Sequence, residues 1–280
     1  MIRGTCTSPA PGLSGHFADP ALKRLSELVY RESAIVLGPE KAMFVKARLS
    51  QRFRQLGCEN VAAYIARVEQ DRSGHEIRRM INLITTHETS FFRENAHFEF
   101  LTRKCFPHAV APLKIWSAGC ASGEEPYSIA ITALEAAASR VRQTCVLATD
   151  ISSSILATAK TGRYEADRLE PVSEERKRRF FTRSQGQQGT TYEVRPAIRE
   201  RVSFAQLNLA LPWPMRGPFD VIFCRNVMIY FARPFQLDLA RRFAKLLRPG
   251  GHLCIGHSES LGVPGDELTL VQPALYRKDG

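Results

Sequence analysis

No C-x-x-C pair occurs in this sequence, although it contains seven cysteines. Structural zinc sites and disulfide frameworks both need paired cysteine spacings, and here the count is odd and the spacings are scattered. We therefore expect neither a metal site nor a disulfide framework, and we interpret the cysteines as small buried side chains with free thiols. They lie at positions Cys6, Cys58, Cys105, Cys120, Cys145, Cys224 and Cys254.

Long apolar runs are also missing. No stretch reaches the roughly 18 apolar residues that a membrane-spanning helix needs. The first residues, Met1 to Phe17, are rich in Gly, Pro, Ser and Thr, and they lack the continuous apolar core of a signal peptide. The sequence therefore predicts a cytoplasmic protein without membrane insertion, whose residues 1–18 form a flexible segment.

Two common nucleotide-binding motifs are absent. The chain has no G-x-G-x-x-G loop between a predicted strand and helix, which disfavours a nicotinamide-dependent enzyme. It also has no G-x-x-x-x-G-K-[ST] loop, which excludes a P-loop nucleotide hydrolase.

Acidic residues are the scarcer charged class. The chain has 28 acidic and 39 basic residues, a net charge of +11 and an isoelectric point of about 9.6. Such a charge favours an acidic partner, which includes nucleic acid, an anionic membrane and a protein surface rich in Asp and Glu. Charge alone does not choose among these partners.

The first ordered stretch, Asp19 to Asp71, has the character of helices throughout. Gly38-Pro39 interrupts it, and a second helix is predicted from Glu40 to about Leu56, where Gly57 ends it. The apolar positions of this helix recur at helical spacing. They are Val45, Leu49, Phe53 and Leu56.

A basic stripe lies beside that apolar face. Lys41, Arg48 and Arg52 are seven and four residues apart, which places them on one side of the helix. From Lys41 to Arg54 there are five basic residues and no acidic one. A solvated face is the common explanation of such a stripe, but the lack of a compensating acid favours a docking role.

From Leu113 onward, strand and helix patterns alternate, which predicts a doubly wound parallel sheet. One segment interrupts the alternation: residues 176–201 are polar and basic, and they predict a small antiparallel insertion with strands at Arg179–Phe181 and Tyr192–Val194. The predicted strands of the main sheet are Leu113–Ser117, Cys145–Thr149, Val202–Ala205, Phe219–Cys224, His252–Ile255 after the turn Pro249-Gly-Gly, and Ala274–Arg277 as the last edge strand. The predicted helices are Pro126–Ala138, Ser152–Lys160 and Gln236–Leu247.

Two features of this region predict an adenosine ligand. The loop Ala118–Gly123 joins a strand to a helix, and its glycines allow a ligand to approach the backbone closely. Asp150 ends the next strand, where an acid accepts hydrogen bonds from both ribose hydroxyls of such a ligand. The alternative role for Asp150 is the N-cap of the following helix.

A third feature is the strand that runs into Arg225, Asn226 and, four residues later, Tyr230. Polar groups at the end of a central strand lie over the ligand crevice of a doubly wound sheet. The alternative is ordinary strand termination.

Several blocks of sequence occur together, in order, from the N-terminal helices to the last strand. They are Thr85–Glu94 (T-T-H-E-T-S-F-F-R-E), Trp116–Ser128 (W-S-A-G-C-A-S-G-E-E-P-Y-S), Ala148–Ile151 (A-T-D-I), Phe223–Phe231 (F-C-R-N-V-M-I-Y-F), Pro249–Leu253 (P-G-G-H-L) and Gly256–Ser260 (G-H-S-E-S). In these blocks the chain resembles the chemotaxis-receptor glutamate methyltransferases, the CheR family. The first and fourth blocks are the distinctive ones.

The resemblance implies a fold and a division of the chain. The fold is α/β, with a doubly wound sheet of the S-adenosylmethionine-dependent methyltransferase type. Residues 19–92 form an N-terminal helical domain and linker, and residues 93–280 form the methyltransferase domain, with the small β insertion at about 176–201. The implied reaction transfers a methyl group from S-adenosylmethionine to receptor glutamates, with S-adenosylhomocysteine as the product.

The resemblance also implies roles for individual residues. Those implied to bind the cofactor are His87, Thr89, Arg93, Gly119, Glu124, Asp150, Asn208, Leu209, Arg225 and Asn226. Among them, Glu124 and Asp150 would meet the amino-acid and ribose ends, and Asn208 and Leu209 would line the adenine. Arg93, Arg225 and Tyr230 are implied as catalytic residues. His87 departs from the family, which most often has Asn there; both side chains donate a hydrogen bond.

A simple mechanism suits these residues. A glutamate carboxylate has an ordinary pKa of about 4.3 and is already a nucleophile at neutral pH, so no general base is needed. The enzyme then has to align the reacting atoms, which can lower the barrier by about 7–11 kcal/mol. Arg93 or Arg225 is expected to hold the carboxylate by a charge-assisted bond, and Tyr230 to orient it.

The resemblance implies partners as well. Lys41, Arg48, Arg52 and Arg54 are expected to dock the acidic cytoplasmic helical bundle of a receptor, which would recruit a monomeric enzyme to the membrane receptors. The β insertion is a candidate site for a receptor C-terminal peptide that adds a strand. Two alternatives are a nucleic-acid methyltransferase, although no [DNS]-P-P-[YFW] block is present, and a non-catalytic adaptor with the same fold; a generic basic binding module leaves residues 113–280 unexplained.

Overall fold

The computed structural model describes residues 17, 19–109, 112–136, 141–187, 189–262, 265 and 267–280. The flexible segment predicted for residues 1–18 therefore lies, apart from Phe17, outside the described residues. The chain divides into two compact units. The first contains residues up to Thr86 together with Asn208–Trp213 and Ile229–Asp238, and the second contains His87–Leu207, Pro214–Met228 and Leu239–Gly280.

The first unit is helical. Its helices are α1 (Pro20–Ser33), α2 (Pro39–Gln55), α3 (Val61–Gln70) and α4 (His75–Ile84). The Asp19 carboxylate accepts the Ala21 N–H at the start of α1, and the Asn60 side chain accepts the Ala63 N–H at the start of α3. The prediction for α2 is confirmed to within one residue at each end.

Helix α4 was not predicted as a separate element, because the helical stretch was expected to end at Asp71. Its apolar residues recur at helical spacing, which is the signal that identifies it. They are Ile77, Met80, Ile81 and Ile84, and Met80 and Ile84 pack in the same core as Leu25, Leu49 and Tyr64.

Two later segments of the chain complete the first unit. The Val36 N–H donates to the Tyr230 carbonyl over 2.8 Å, and Ile35 forms an isolated antiparallel bridge with Phe231. The Asn208 side-chain amide donates to the Glu32 carbonyl at the end of α1, over 2.7 Å. These hydrogen bonds hold residues 208–213 and 229–238 against the N-terminal helices.

The second unit contains a seven-stranded sheet with the order β6-β2-β1-β7-β8-β10-β9 and a three-stranded sheet with the order β3-β5-β4. The strands are β1 (Lys114–Ala118), β2 (Cys145–Asp150), β3 (Arg163–Glu165), β4 (Phe181–Gly186), β5 (Gly189–Val194), β6 (Val202–Gln206), β7 (Phe219–Cys224), β8 (Leu247–Ile255), β9 (Leu268–Gln272) and β10 (Leu275–Lys278). The remaining helices are α5 (Ala96–Phe100), which continues as a π-helical turn over Leu101–Cys105, α6 (Glu124–Glu135), α7 (Ser153–Thr161), α8 (Glu174–Phe180), α9 (Pro196–Arg199) and α10 (Arg233–Leu246), which begins in the first unit.

The centre of the large sheet is buried on both faces. Ile115 and Trp116 in β1 and Phe223 in β7 have no exposed surface, as expected for parallel strands that are covered on both sides. The Trp116 indole N–H donates to the Thr149 hydroxyl over 2.9 Å, which satisfies its polar atom inside the core. The predicted doubly wound sheet is confirmed for five neighbouring strands, in the spatial order β6-β2-β1-β7-β8, which all pair in parallel.

The last part of the sheet differs from the prediction. Ala274–Arg277 was predicted as an edge strand, but β10 pairs with β8 on one side and with β9 on the other, both antiparallel. Ala274 adopts a positive φ of 61°, which closes the turn that brings β9 beside β10. The predicted turn at Pro249-Gly-Gly lies within β8, where the register with β7 is irregular.

The β insertion also has different boundaries. Arg179 and Phe180 were predicted to be in a strand, but they end helix α8. Ser173 caps that helix by accepting the Arg176 N–H, and acidic residues in its first turn with basic residues in its last turn complement the helix dipole. The small sheet gains a third strand, β3, from before the predicted insertion.

Among the residues described, no helix combines the length and the apolar character of a membrane span. The six cysteines in this part of the chain are all free thiols. Cys145 is exposed and Cys58 and Cys105 are partly exposed, so the prediction that the cysteines are buried is wrong for these three.

Leu49→Ala is expected to lower the free energy of unfolding by about 2–5 kcal/mol, because Leu49 on α2 is fully buried and its removal leaves a cavity. Met43→Ala on the same helix is the control, since Met43 is 71% exposed, and it is expected to change that free energy by less than about 0.5 kcal/mol. Urea unfolding followed by circular dichroism measures both. Equal losses in the two variants would contradict the assigned core.

Candidate active site

Strands β1, β2 and β7 end at the same edge of the sheet, because they pair in parallel. From β1 the chain order proceeds through β2 to β6 on one side and through β7 to β8 on the other. The strand order thus reverses between β1 and β7, although the strands themselves stay parallel. Ligands of doubly wound folds bind at the carboxyl ends of the strands beside such a reversal. Gly119, Asp150 and Arg225 lie there, each at or just beyond the end of its strand.

The loop after β1 requires its glycines. Gly119 and Gly123 adopt positive φ angles of 87° and 98°, which favour glycine. A Cβ on Gly119 would clash with a methyl group of Val227, and one on Gly123 would lie 2.9 Å from the Tyr164 hydroxyl. The N–H groups of Gly119 and Cys120 both donate to the Thr149 carbonyl, which fixes the loop against the end of β2.

Asp150 is a buried carboxylate that organises two backbone segments. Its oxygens accept the Ala121 N–H over 3.0 Å and the Ser152 N–H over 2.9 Å. Burial raises the pKa of its carboxyl, and these N–H groups and the nearby His87 oppose the rise. The N-cap of α7 is Ser152, whose hydroxyl accepts the Ile155 N–H, so the capping alternative for Asp150 is wrong.

His87 and Glu124 lie in the same unit as Asp150. The His87 Nδ1 atom is 4.0 Å from an Asp150 carboxylate oxygen. Glu124, at the start of α6, has no exposed surface, and its carboxylate accepts hydrogen bonds from Ser122 and Arg168. Sequence reasoning found Glu124 but missed Arg168, because no local pattern connects two residues that are 44 positions apart.

Arg225 is buried, with 2% of its side chain exposed, and it forms ion pairs with Glu94 and Glu125, both at 3.1 Å. It also donates to the Arg93 carbonyl. Burial raises the pKa of the Glu125 carboxyl. Burial also acts to raise the pKa of Glu94, but the charge and hydrogen bonds of its neighbours, Arg225 above all, outweigh burial, and the pKa of Glu94 is lowered. The Arg225 guanidinium therefore joins three segments of the chain at the strand ends.

Asn226 follows in the left-handed region, with φ of 58°. Its N–H donates to the Glu259 carboxylate over 3.0 Å, and the same carboxylate accepts the Gly256 N–H. A Cβ on Gly256 would lie 2.6 Å from the side-chain nitrogen of Asn226 and 2.9 Å from its backbone nitrogen. The two loops are therefore too close for any residue but glycine at position 256. Glu259 was quoted in the G-H-S-E-S block but was given no role by sequence reasoning.

The segment that carries Thr89 and Arg93 is anchored by aromatic residues. The Phe91 ring packs edge-to-face on Tyr164 and Phe181, and the Phe92 N–H donates to the Ser128 hydroxyl over 3.0 Å. The Arg93 guanidinium donates to the Glu88 carbonyl over 2.9 Å and is partly exposed. Thr89 is also partly exposed.

Three of the residues predicted to bind the cofactor or to be catalytic belong to the first unit. Besides its bond to Glu32, Asn208 accepts the Ala210 N–H with its side-chain oxygen over 2.9 Å, and Leu209 is buried. The Lys41 ammonium lies 5.7 Å from the centre of the Tyr230 ring, a cation–π distance. The structure thus groups Asn208, Leu209 and Tyr230 with the N-terminal helices, and the other predicted cofactor-binding and catalytic residues with the sheet.

The basic stripe is compensated in part by α4. Arg52 forms two hydrogen bonds with the Glu76 carboxylate, and Tyr64 donates to the same carboxylate over 2.9 Å. Arg48 donates to the Thr85 carbonyl over 2.7 Å and lies over the Phe44 ring. The expectation that no acid compensates the stripe is therefore wrong for Arg52, whereas Arg54 is exposed.

Three possible metal ligands converge where the sequence predicted none: Glu94, His97 and His257. The Glu94 carboxylate lies 3.8 Å from His97 and 4.0 Å from His257, and it already accepts hydrogen bonds from Arg225 and Asn226. Burial, assisted by the Arg225 charge, lowers the pKa of His97 to about 4. We interpret His97 as a neutral imidazole that packs beside the ion pair of Glu94 and Arg225.

The groups at the strand ends fit an adenosine ligand. A carboxylate has about four acceptor positions, so the backbone bonds of Asp150 leave capacity for ribose hydroxyls. The neighbouring loop begins and ends with residues that have no side chain, Gly119 and Gly123. These groups suit the adenosine of S-adenosylmethionine.

Comparisons with known proteins agree with this geometry. A family described as "CheR methyltransferase, SAM binding domain" matches residues 87–274, and one described as "CheR methyltransferase, all-alpha domain" matches residues 20–85. A chemotaxis protein methyltransferase of Klebsiella aerogenes is 41% identical over 92% of this chain and 89% of its own length.

Two further relatives have similar coverage. Chemotaxis protein methyltransferase 2 of Pseudomonas aeruginosa is 40% identical over 88% of this chain and 88% of its own length. The chemotaxis protein methyltransferase of Escherichia coli is 36% identical over 92% of this chain and 91% of its own length. Identity of this extent, together with both family matches, shows that the chain belongs to the CheR methyltransferase family.

Proposed function

We propose that this protein transfers a methyl group from S-adenosylmethionine to glutamate carboxylates of methyl-accepting chemotaxis receptors, giving glutamyl methyl esters. The observation that carries the proposal is the match to both CheR domains over residues 20–85 and 87–274. The glycine loop and Asp150, at the sheet edge where doubly wound folds bind ligands, support it independently.

The chain's own residues are assigned to binding and alignment. When bound, the cofactor supplies an activated methyl group on a sulfonium. Asp150 accepts the ribose hydroxyls, Glu124 meets the amino-acid end, and Asn208 with Leu209 lines the adenine. His87, Thr89, Gly119 and Asn226 complete the proposed binding set.

Arg93 is proposed to hold the substrate carboxylate. Among the described residues, its guanidinium donates a hydrogen bond to the Glu88 carbonyl, a neutral partner, which leaves its charge available to an anion. Arg225, in contrast, is engaged by Glu94 and Glu125, which supports a positioning role for it rather than a direct bond to substrate. Tyr230 is proposed to orient the carboxylate, which needs no base because it is ionised at neutral pH.

Two surfaces are proposed to bind the receptor. The first is the outer part of α2, which includes the exposed Arg54, Met43 and Phe44 and the partly exposed Lys41. It would dock the acidic helical bundle and bring the enzyme to membrane-bound receptors. The second is β4, an edge strand of the small sheet whose residues Thr182–Gly186 are exposed, which suits the addition of a receptor peptide strand.

Methyl transfer tests the function directly. With methyl-labelled S-adenosylmethionine and a receptor cytoplasmic fragment, we expect alkali-labile label on glutamates, and Arg93→Ala is expected to lower kcat/KM about 100-fold or more. The control is Arg103→Ala, an exposed arginine paired with Glu99, which is expected to keep wild-type activity. Label on nucleic acid but not on the receptor would overturn the proposal, and so would the absence of cofactor binding by the folded protein.

Asp150→Asn is expected to weaken binding of S-adenosylhomocysteine at least about tenfold, because hydrogen bonds to a charged acceptor are the stronger ones. Calorimetric titration measures this affinity. The matched control is Asp220→Asn: Asp220 lies near the amino end of β7 and accepts the Lys114 N–H and Arg248. If both variants lost affinity equally, the loss would reflect general damage, and the ribose assignment would fail.

Arg54→Glu is expected to raise the KM for the receptor fragment about three- to tenfold at low salt, because it reverses an exposed charge on the docking helix. The effect is expected to shrink as ionic strength rises and screens the charge. Lys23→Glu on α1 serves as the control, since Lys23 is also exposed but lies on another helix. A KM unchanged by Arg54→Glu at every salt concentration would exclude this surface.

A further inference from the structure

Two polar side chains, Tyr164 of the small sheet and Arg168 just after it, contact the end of the loop after β1, Ser122–Glu124, which is called the cofactor loop below. Arg168 lies in a short helical turn directly after β3, and its guanidinium donates to the Glu124 carboxylate and, over 3.2 Å, to the Ser122 hydroxyl. Ser122 donates to the other oxygen of Glu124 over 2.6 Å. Tyr164 in β3 donates its hydroxyl to the Ser122 carbonyl over 2.8 Å. These bonds hold Ser122, Gly123 and Glu124 from one side.

The Glu124 carboxylate depends on this arrangement. It is fully buried, and a buried carboxylate without a partner is strongly destabilising. Arg168 supplies the neutralising cation; its own side chain is 38% exposed, so it retains part of its hydration. Without Arg168, the Glu124 carboxylate loses its cation, and we expect its position and the conformation of the loop to change.

We infer that Arg168 is a positioning residue for cofactor binding: it fixes the carboxylate of Glu124 and the conformation of Ser122–Glu124. The inference rests on the proposed function, in which Glu124 meets the amino-acid end of S-adenosylmethionine. It gives the small sheet a second role, because the sheet builds the cofactor loop as well as carrying the proposed receptor-binding edge.

Other contacts attach the small sheet independently of Arg168. Phe181 in β4 packs edge-to-face on Phe91, and Arg176 pairs with Glu135 of α6 while lying over the Phe92 ring. Loss of Arg168 is therefore expected to leave the small sheet in place, although the unpaired Glu124 carboxylate is expected to lower the melting temperature. A purely structural arginine would change stability alone, and the affinity for the cofactor would recover together with stability.

The experiment compares Arg168→Met with Arg176→Met, a matched arginine of the same region whose ion pair lies outside the loop. Calorimetry measures the affinity for S-adenosylhomocysteine, and thermal melting without ligand measures stability. We expect Arg168→Met to weaken binding about tenfold or more, and Arg176→Met less than about threefold. Arg168→Lys, which keeps the charge but not the fork of donors, is expected to recover part of the affinity.

A fourth variant separates folding from positioning. Arg168→Met combined with Glu124→Gln removes both charges, so its melting temperature is expected to return towards wild type while the affinity stays low. Wild-type affinity in Arg168→Met, or equal losses in Arg168→Met and Arg176→Met, would overturn the inference. If the wild-type protein itself fails to bind S-adenosylhomocysteine, the proposed function fails instead, whatever the variants do.

Discussion

Two carboxylates share one buried guanidinium at the strand ends, and the geometry of the sheet's ligand edge depends on that interaction. Arg225 pairs with Glu94 and with Glu125 and donates to the Arg93 carbonyl. Burying charges is costly, and such a pair stabilises the fold only when every group is well bonded. Removing one member would leave an unpaired buried charge, which costs about 3–5 kcal/mol. The segment from Arg93 to Glu94, the start of α6 and the end of β7 are consequently fixed together.

The backbone around this ion pair is equally constrained. Asn226 and Gly119 occupy the left-handed region, and the Glu259 carboxylate accepts N–H groups from both Asn226 and Gly256. Unusual backbone of this kind persists only where the surroundings over-determine it, and it is common at functional sites. Here it occurs where the strands end, so the core of the sheet is regular and its ligand edge is specialised.

Local patterns in the sequence were enough for the elements that carry the site. Gly38-Pro39 and Gly57 mark the two ends of α2 in the sequence. Apolar runs identified β1, β2 and β7, and this placed Asp150 and Arg225 at strand ends. The partners of these residues were not predictable in the same way. Glu94 and Glu125 are 131 and 100 positions from Arg225, and Glu76 is 24 positions from Arg52, so only the tertiary fold brings them together. The order of β9 and β10 was missed for a similar reason, because strand order follows from a turn at Ala274 and not from strand composition.

The arrangement of charge has a consequence for the substrate. An esterifying enzyme of this kind has to admit a carboxylate, yet its ligand edge contains many carboxylates of its own, which would repel an anion if they were unpaired. Among the described residues, these carboxylates each have a partner. Glu124 forms an ion pair with Arg168, and Glu94 and Glu125 form ion pairs with Arg225. Glu259 and Asp150 accept hydrogen bonds from backbone N–H groups. Arg93 differs from these cations because its described bond is to a neutral carbonyl. The described acids at this edge are thus matched within the fold, which supports the proposal that Arg93 holds the substrate carboxylate.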